Sequence, residues 1–302
     1  MKTLVFLTAL IASMLGGGHI HLNSASIVLV ASTPADVELR NMLALDTVSQ
    51  IDFIRWKIEL NSKNSFTISI RYGVAQQGTS GFVGNGKTST ITGTYSVVSQ
   101  RFGHSPKTVY RLTDAGRPVI ALVKLNDNTF HILDSSNALM RGNAAWSYTL
   151  TRKDPVPNDD IKVSGIVDAA TILEEKSPTV TYVGRTPSAA LQKDHSWPNV
   201  PNVANTPKFK WKIILKRSPN GSPAGYTMRR VNDRANDTEG RWEIIQRNDA
   251  VYYKLETAEA TAPLMLLVAD KNVVYFVDDN QRIYVGDGDF SYAINRPVTD
   301  RN

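Results

Sequence analysis

The sequence contains no cysteine among its 302 residues. This absence excludes disulfide bonds, thiol catalysis, and zinc or iron–sulfur sites with cysteine ligands. Familiar catalytic patterns are missing as well, since neither G-x-S-x-G nor H-E-x-x-H occurs and no carboxylate pair stands out. We therefore expect a protein that is not an enzyme and that has no cofactor.

Long apolar runs and clusters of one charge are also absent. The run Leu4–Leu15 has 12 residues, whereas a helix that crosses a bilayer needs about 20. The net charge of +6 comes from scattered lysines and arginines, and nucleic-acid binding needs a concentrated basic surface. We expect no integral membrane segment in the mature chain and no nucleic-acid partner.

The first 26 residues are typical of a secretory signal peptide. Lys2 supplies the positive start and Leu4–Leu15 the apolar segment. Small residues for cleavage occur at Gly16–Gly18 and at Ser24–Ser26. The sequence thus predicts an exported protein, periplasmic or extracellular.

The second half of the chain repeats the first. Phe130–Arg152 returns as Val274–Arg296 at a constant offset of 144 residues without a gap, and Trp56–Leu60 returns as Trp211–Leu215. Solenoid repeats have only about 20–50 residues, so this period indicates two copies of a whole domain. The predicted organisation is a signal peptide (1–26), repeat one (27–152), a linker (153–180), repeat two (181–296) and a tail (297–302).

Most of each repeat has the pattern of β-strands. Apolar and polar residues alternate in Phe66–Ile70, Trp146–Leu150 and Phe290–Ile294. Asp134–Asn137 and Asp278–Gln281 have the composition of hairpin turns, in which the leading aspartate caps its own backbone. About eight short strands per repeat favour an antiparallel barrel or sandwich.

Two further local features are predicted. Thr33 as N-cap, Pro34 in the first turn and Asp36 as a capping acid indicate a short N-terminal helix. Gly93 and Gly240 open equivalent strands, where glycine suits a bulge or a tight barrel bend.

The segment Gly81–Thr88 satisfies the P-loop pattern G-x-x-x-x-G-K-[ST]. The residues that follow are β-branched and interrupted by Gly93, without helical periodicity. A phosphate-binding loop needs a helix there, and repeat two closes the same region without the motif. The sequence favours a flexible hairpin loop over a nucleotide site.

Few residues are suited to bind a metal. His19 and His21 could bind copper or zinc, or could belong to a disordered leader remnant. Asp287-Gly288-Asp289 lacks the spacing of an EF-hand, so we expect a turn rather than a calcium site. Of the remaining histidines, His131 is expected on an exposed strand face, and two others are expected in loops: His104 and His195.

Aromatic residues recur at matching places in the two repeats. They could fill the domain cores, or they could line an apolar pocket inside a small barrel. The candidate pocket residues are Trp56, Tyr95, Tyr110, Trp146 and Tyr148 in repeat one, with Trp211, Trp242, Tyr252, Phe290 and Tyr292 in repeat two.

Short motifs resemble the N-terminal domain of NlpE-type copper-resistance and envelope-stress lipoproteins. Tyr182–Leu191 is similar to the opening Y-x-G-x-[LT]-P-C-x-x-C of that family. Its later strand motifs are matched by Gly240–Trp242, Tyr252–Leu255, Val274–Asp278 and Phe290–Ile294. The resemblance implies an all-β protein of two tandem, small, antiparallel, lipocalin-like β-barrels, to which the residues add the short N-terminal helix.

The chain departs from that family at the positions that carry its chemistry. The two motif cysteines are replaced by Ser188 and Leu191 in repeat two and by Ala35 and Glu38 in repeat one, and Gly18 stands where a lipobox would have its cysteine. We therefore expect neither the thiol copper site nor a lipid anchor. Soft thiolates select Cu(I), so copper affinity would depend on His19 and His21.

These features predict a non-enzymatic, exported protein of the bacterial envelope or exterior that binds or senses through two NlpE-like barrels. Its partner would be an unknown protein. The alternative is a lipocalin-like carrier that holds a small apolar ligand in one or both barrels. A carrier requires an open barrel with the shared aromatic side chains facing inward.

Overall fold

The computed structural model describes residues 26–46, 48–103, 105–157, 166, 169–189, 208–230, 237–247, 249–258, 260 and 262–297. The predicted signal peptide lies outside the described residues except for Ser26, and so do His19 and His21. The same holds for His104, Leu191 and His195. Throughout the described segments, no helix has the length and apolar character to cross a membrane.

The strands form two closed antiparallel barrels of eight strands each, which confirms the predicted all-β tandem fold. We call them barrel one and barrel two. Barrel one contains a short helix, α1 (Val37–Met42), and the strands β1 (Ile27–Pro34), β2 (Phe53–Leu60), β3 (Ser65–Gly73), β4 (Lys87–Phe102), β5 (Ser105–Asp114), β6 (Arg117–Lys124), β7 (Thr129–Leu133) and β8 (Thr149–Arg152).

Barrel two repeats this order, and a short helix, α2 (Ala169–Leu173), precedes it. Its last strand pairs with its first and closes the barrel, as β8 pairs with β1 in barrel one. The strands are β9 (Thr179–Pro187), β10 (Lys208–Arg217), β11 (Pro223–Arg230), β12 (Thr238–Arg247), β13 (Ala250–Glu256), β14 (Leu264–Val268), β15 (Val273–Val277) and β16 (Ala293–Asn295).

Equivalent tryptophans anchor the cores of both barrels. The indole N–H of Trp56 donates to the hydroxyl of Thr33, and that of Trp211 donates to Thr186, at 2.8 Å in each case. Both side chains are buried, and a buried indole N–H needs such an acceptor. In each repeat, the threonine of the Thr-Pro pair therefore provides the hydrogen-bond acceptor that the indole N–H of the tryptophan needs.

Gly93 and Gly240 lie where an aromatic ring of the neighbouring strand covers the backbone. A Cβ atom at Gly93 would come within 2.9 Å of the Phe66 ring, and one at Gly240 within 2.7 Å of the Tyr226 ring. The carbonyl oxygen of the strand on the other side is closer still, at 2.1 Å and 1.9 Å. Only glycine permits this close approach in the curved wall.

Helix α1 begins later than the sequence predicts. Thr33 and Pro34 belong to β1, because they pair with Ile54 and Phe53 of β2 and extend the strand to Pro34. The predicted N-cap role of Thr33 is therefore wrong. Asp36 is the N-cap, and its carboxylate accepts the backbone N–H of Leu39 at 2.8 Å.

The closing strands also begin later than predicted, at Thr149 and Ala293 rather than at Trp146 and Phe290. The side chains of Asn143 and Asp287 explain the delay. Asn143 Oδ1 accepts the backbone N–H groups of Ala145 and Trp146, and Asp287 Oδ1 accepts those at the equivalent positions. These bonds hold turns, which agrees with the interpretation of Asp287-Gly288-Asp289.

The strand register corrects one pair of matching aromatic residues, that of Tyr110 with Tyr252. Tyr110 lies opposite Leu122, and Tyr253 lies opposite Leu266. Since Leu122 and Leu266 are 144 residues apart, the counterpart of Tyr110 is Tyr253 and not Tyr252. Twelve residues separate Tyr253 from Leu266 and eleven separate Tyr110 from Leu122, and this one-residue difference shifts the alignment.

The P-loop-like segment is part of the hairpin between β3 and β4. Ala75 forms an isolated bridge with Phe82, and a single 3₁₀ turn covers Val83–Asn85. Lys87 then begins β4, where it pairs with Tyr72. Because a strand and not a helix follows the glycines, this geometry excludes a phosphate-binding P-loop.

Candidate functional site

The two barrels pack on each other through a buried apolar surface. Its members include residues of barrel one and their counterparts 144 positions later in barrel two, which therefore meet across the interface. This arrangement is approximately two-fold symmetric, like that of a homodimer joined into one chain. Such counterpart pairs are Val123 and Leu267, Leu125 and Ala269, Leu133 and Val277, and Leu139 and Ile283.

Polar counterparts also meet at this interface. The hydroxyls of Ser147 and Ser291 are 2.6 Å apart, and Nδ1 of His131 lies 2.6 Å from the hydroxyl of Tyr275. Both pairs have a sequence separation of 144. These contacts place the pseudo-two-fold axis between the barrels and fix their mutual orientation.

The predicted surface position of His131 is wrong, because barrel packing buries it completely. Its Nε2 lies 2.8 Å from the carbonyl oxygen of Met140, so Nε2 carries the proton and donates. Nδ1 then accepts, with the hydroxyls of Tyr275 and Thr149 at 2.6 and 3.1 Å. Burial lowers the pKa of His131 from 6.5 to about 4, so the imidazole is neutral at pH 7.

A cleft of about 870 Å³ opens between the barrels beside this interface. We call it the inter-barrel cleft. Barrel one and α1 contribute three carboxylates and one cation, and barrel two with the segment before β9 contributes two of each. The charged residues are Asp36, Glu38, Asp134, Arg141, Glu175, Asp270, Lys271 and Arg296.

The two carboxylates on the barrel-two side of the cleft are held by neighbours. Arg296 Nη1 donates to Glu175 Oε2 at 2.8 Å, and the backbone N–H of Ser177 donates to the other oxygen at 3.0 Å. Burial alone would raise the pKa of Glu175, but these donors outweigh it and lower the pKa to about 2. Asp270 is the opposite case, since burial raises its pKa despite backbone donors from Asn272 and Val273.

On the barrel-one side, three carboxylates are fixed by local bonds. Asp36 accepts the hydroxyl of the buried Tyr148 at 2.5 Å, and Glu38 accepts the backbone N–H of Ser135 at 2.9 Å. Asp134 accepts the backbone N–H groups of Ser136 and Ala138, as predicted for the head of a turn. Burial and the charge of Asp36 raise the pKa of Tyr148.

The ten predicted pocket aromatics do not converge on one place. Trp146 and Phe290 are half-buried and line a small recess at the seam between the barrels. Tyr95 and Tyr110 are half-buried beside the core of barrel one. The others are buried, Trp56 and Tyr148 in barrel one, Trp211, Trp242 and Tyr292 in barrel two, and Tyr252 in the interface. Ligand contact by any of them stays a prediction.

No cluster of three metal-ligating side chains occurs among the described residues. Two of the positions that replace the cysteines of the resembling family, Ala35 and Ser188, are buried. Glu38 is half-buried and lines the cleft. The predicted metal ligands His19 and His21 lie outside the described part of the chain, so that hypothesis stays open.

Sequence reasoning missed the cleft residues Arg141, Glu175, Lys271 and Arg296. They belong to distant segments that only barrel packing brings together. One signal was available in Val273–Val277, a run of five residues without the polar alternation of a half-exposed strand. A continuous apolar run indicates a strand buried on both faces, and β15 is buried throughout.

No family model, no curated protein and no solved structure matches this chain.

Proposed function

We propose that this chain is a non-enzymatic, exported binding protein of NlpE-like type, from the bacterial envelope or exterior, and that the inter-barrel cleft binds its ligand. The cleft itself carries the proposal, because residues of both barrels line it and its volume is within the range of small-molecule sites. Export rests on the signal-like N-terminal sequence alone.

The electrostatics at Glu175 favour recognition over acid–base catalysis. A general acid or base works best with a pKa near the operating pH, whereas the pKa of Glu175 is held at about 2. Its ion pair with Arg296 and the bonds of Asp36 and Glu38 fix the charged groups in place. Fixed groups of this kind reduce the cost of ordering on binding.

The charges also indicate the class of ligand. Five carboxylates and three cations line the cleft, so a small polar molecule with both an amine and an acidic group would find partners for each. Glu38 and Asp134 suit the amine. Lys271, which is exposed and has no ion pair within the described segments, suits the acidic group.

The test is calorimetric titration with a panel of small zwitterions, amines, acids and apolar compounds. We expect a zwitterion to bind and Lys271→Ala or Glu38→Gln to weaken it about tenfold, since a hydrogen bond to a charged group contributes about 1.5–3 kcal/mol. Lys212→Ala at an exposed strand position and Glu59→Gln at a half-buried one are the matched controls. If a ligand binds all four variants with the same affinity, its site lies outside the inter-barrel cleft.

The carrier alternative is favoured by one observation in barrel one. Val97 is 51% exposed, and its strand neighbours Tyr95 and Tyr110 are half-buried, whereas their counterparts Trp242 and Tyr253 are buried. An apolar ligand could therefore contact Val97 and the neighbouring tyrosines on the wall formed by β4 and β5. If barrel one is a carrier, an apolar fluorescent probe will bind the wild type and Val97→Asp will abolish binding. Unchanged fluorescence on adding the probe would remove this alternative.

A further inference from the structure

A small recess of about 20 Å³ lies at the seam between the barrels, apart from the inter-barrel cleft. We call it the seam pocket. Its charged lining consists of Arg55, Arg185, Lys208 and Asp289, and the rings of Trp146 and Phe290 lie beside them. This volume has room for one or two atoms of a bound group, since a single water needs about 10–15 Å³. The rest of such a group would lie outside the recess.

The cations of the seam pocket repel one another. Arg185 on β9 lies directly opposite Lys210 on β10, and Lys208 is two residues away on the same face. Like charges at directly opposed strand positions are destabilising. Burial lowers the pKa of Lys208, and the nearby charges of Arg185 and Lys210 lower it further.

Carboxylates compensate this cluster only in part, since the charge of Asp289 raises the pKa of Lys208 by less than burial, Arg185 and Lys210 lower it. Within the described part of the chain, Arg185, Lys208 and Lys210 have no ion pair, and Nε of Arg185 is buried without a hydrogen-bond partner. The one carboxylate in the lining, Asp289, is engaged by Arg55 at 2.5 Å. The cluster therefore presents donors in excess of acceptors.

Aromatic rings hold two of these cations in position. The guanidinium of Arg185 lies 5.9 Å from the ring centre of Trp146, and the ammonium of Lys208 lies 5.1 Å from that of Phe290. Trp146 is itself stacked on Phe53 at 4.7 Å. Cation–π contacts of this kind pre-position the charges.

The duplicated fold does not require this cluster. By strand register, the counterparts of Arg185 and Lys208 in barrel one are Ser32 and Phe53, neither of which is charged. Barrel one closes with the same topology without them. The excess of positive charge is thus a property of this place and not of the barrel.

We propose that the seam pocket is a binding site for a phosphate- or sulfate-type oxyanion, held by Arg185 and Lys208. The bound anion supplies the acceptors that Arg185 Nε and the Lys208 ammonium need and cancels the repulsion with Lys210. Asp289 opposes binding by its charge and by engaging Arg55.

Calorimetric titration of the full chain with inorganic phosphate and with sulfate, against sodium chloride of equal ionic strength, tests this site. We expect both oxyanions to bind, and Arg185→Gln or Lys208→Gln to weaken them about tenfold. Lys212→Gln, four residues from Lys208 on the same face of β10, is the control and is expected to leave binding unchanged. Asp289→Asn is expected to strengthen binding several-fold.

Thermal unfolding separates this role from a structural one. Without phosphate, Lys208→Gln is expected to raise the melting temperature because repulsion is relieved, whereas loss of a stabilising contact would lower it. Lys208→Arg keeps the charge and is expected to keep binding. The proposal is overturned if phosphate and sulfate act no more strongly than chloride, or if the Arg185 and Lys208 variants bind like the wild type.

A second arm identifies the source of the oxyanion. The protein is sedimented with phosphatidylcholine vesicles that contain phosphatidylglycerol, and with pure phosphatidylcholine vesicles. Co-sedimentation that needs both phosphatidylglycerol and Arg185 assigns the site to a lipid headgroup. Binding of inorganic phosphate without co-sedimentation assigns it to a free anion.

Discussion

The turn between the sixth and seventh strands has the same backbone in the two barrels and different side-chain partners. In barrel one, the amide of Asn128 makes two bonds with the backbone of Val156 in the linker, at 2.7 and 3.1 Å. Its counterpart Asn272 instead faces the inter-barrel cleft and accepts from Arg141 at 3.3 Å. The linker therefore binds the asparagine of this turn in barrel one, whereas the matching asparagine of barrel two lines the cleft.

A second pair of matching positions shows the reverse relation. The hydroxyl of Tyr95 donates to the carbonyl of Asn61, and the indole N–H of Trp242 donates to the carbonyl of Lys216, both at 2.8 Å. Different side chains thus make a hydrogen bond to matching backbone positions. The two copies therefore share their strands and the bonds between them, whereas the residues that could bind a ligand lie where the two copies differ.

The largest effect is expected where both barrels need glycine. Gly240→Ala would place a Cβ atom 1.9 Å from a backbone oxygen, so the strands must separate, and we expect the free energy of unfolding to fall by more than about 3 kcal/mol. Gly93→Ala should cost a similar amount in barrel one. Denaturant unfolding measures both.

Gly225→Ala is the control for this prediction. It lies on β11 beside Gly240, but its Cβ atom would be 3.5 Å from the nearest atom. We expect a change within about 0.5 kcal/mol, as for other substitutions that meet no obstacle. Similar costs for Gly225→Ala and Gly240→Ala would mean that glycine flexibility, and not close approach, decides these positions.

The next largest effect is a pH dependence of stability, which we expect from His131 and not from its counterpart Tyr275. The unfolded chain binds a proton at this histidine below pH 6.5, and the folded chain only below about 4. Unfolding therefore takes up a proton between these values, and the free energy of unfolding falls as the pH drops through this window, by about 3 kcal/mol in total.

Denaturant unfolding at pH 7, 5.5 and 4 checks this, with His131→Gln as the comparison. The variant removes hydrogen bonds and lowers stability at every pH, so the slope with pH is the readout. The acid loss from Glu175 occurs later, from pH 4.5 to about 2. An equal slope in both proteins from pH 6.5 to 4 would assign the acid sensitivity to other groups.

The internal repeat made the fold predictable. Strand periodicity, the turns headed by Asp134 and Asp278, and the two glycines are local signals, and they agree with the barrels. The position of α1 was mispredicted because Thr33 has two possible roles, as helix cap and as partner of Trp56. Pairing of β1 with β2 decides between them.

The cleft could not be predicted in the same way. Arg141 and Lys271 are 130 residues apart, and they line one cleft only because β7 and β15 bury their outer faces against each other. His131 shows the same limitation, since alternation correctly places it opposite Phe130 and Ile132 on the outer face. That face is buried by the second barrel, a fact that no local pattern contains.

The smallest effect is expected at the turn between the sixth and seventh strands, where Asn128 and Asn272 have different partners. Asn128→Ala removes two hydrogen bonds to the linker, and we expect a loss of about 1 kcal/mol, because the half-buried backbone of Val156 can bond to water instead. Asn272→Ala removes one long bond and should change stability by less than about 0.5 kcal/mol. Hydrogen exchange locates the effect, because the amide of Val156 should lose protection only in Asn128→Ala. Equal protection in both variants would show that the linker is held to barrel one by other contacts.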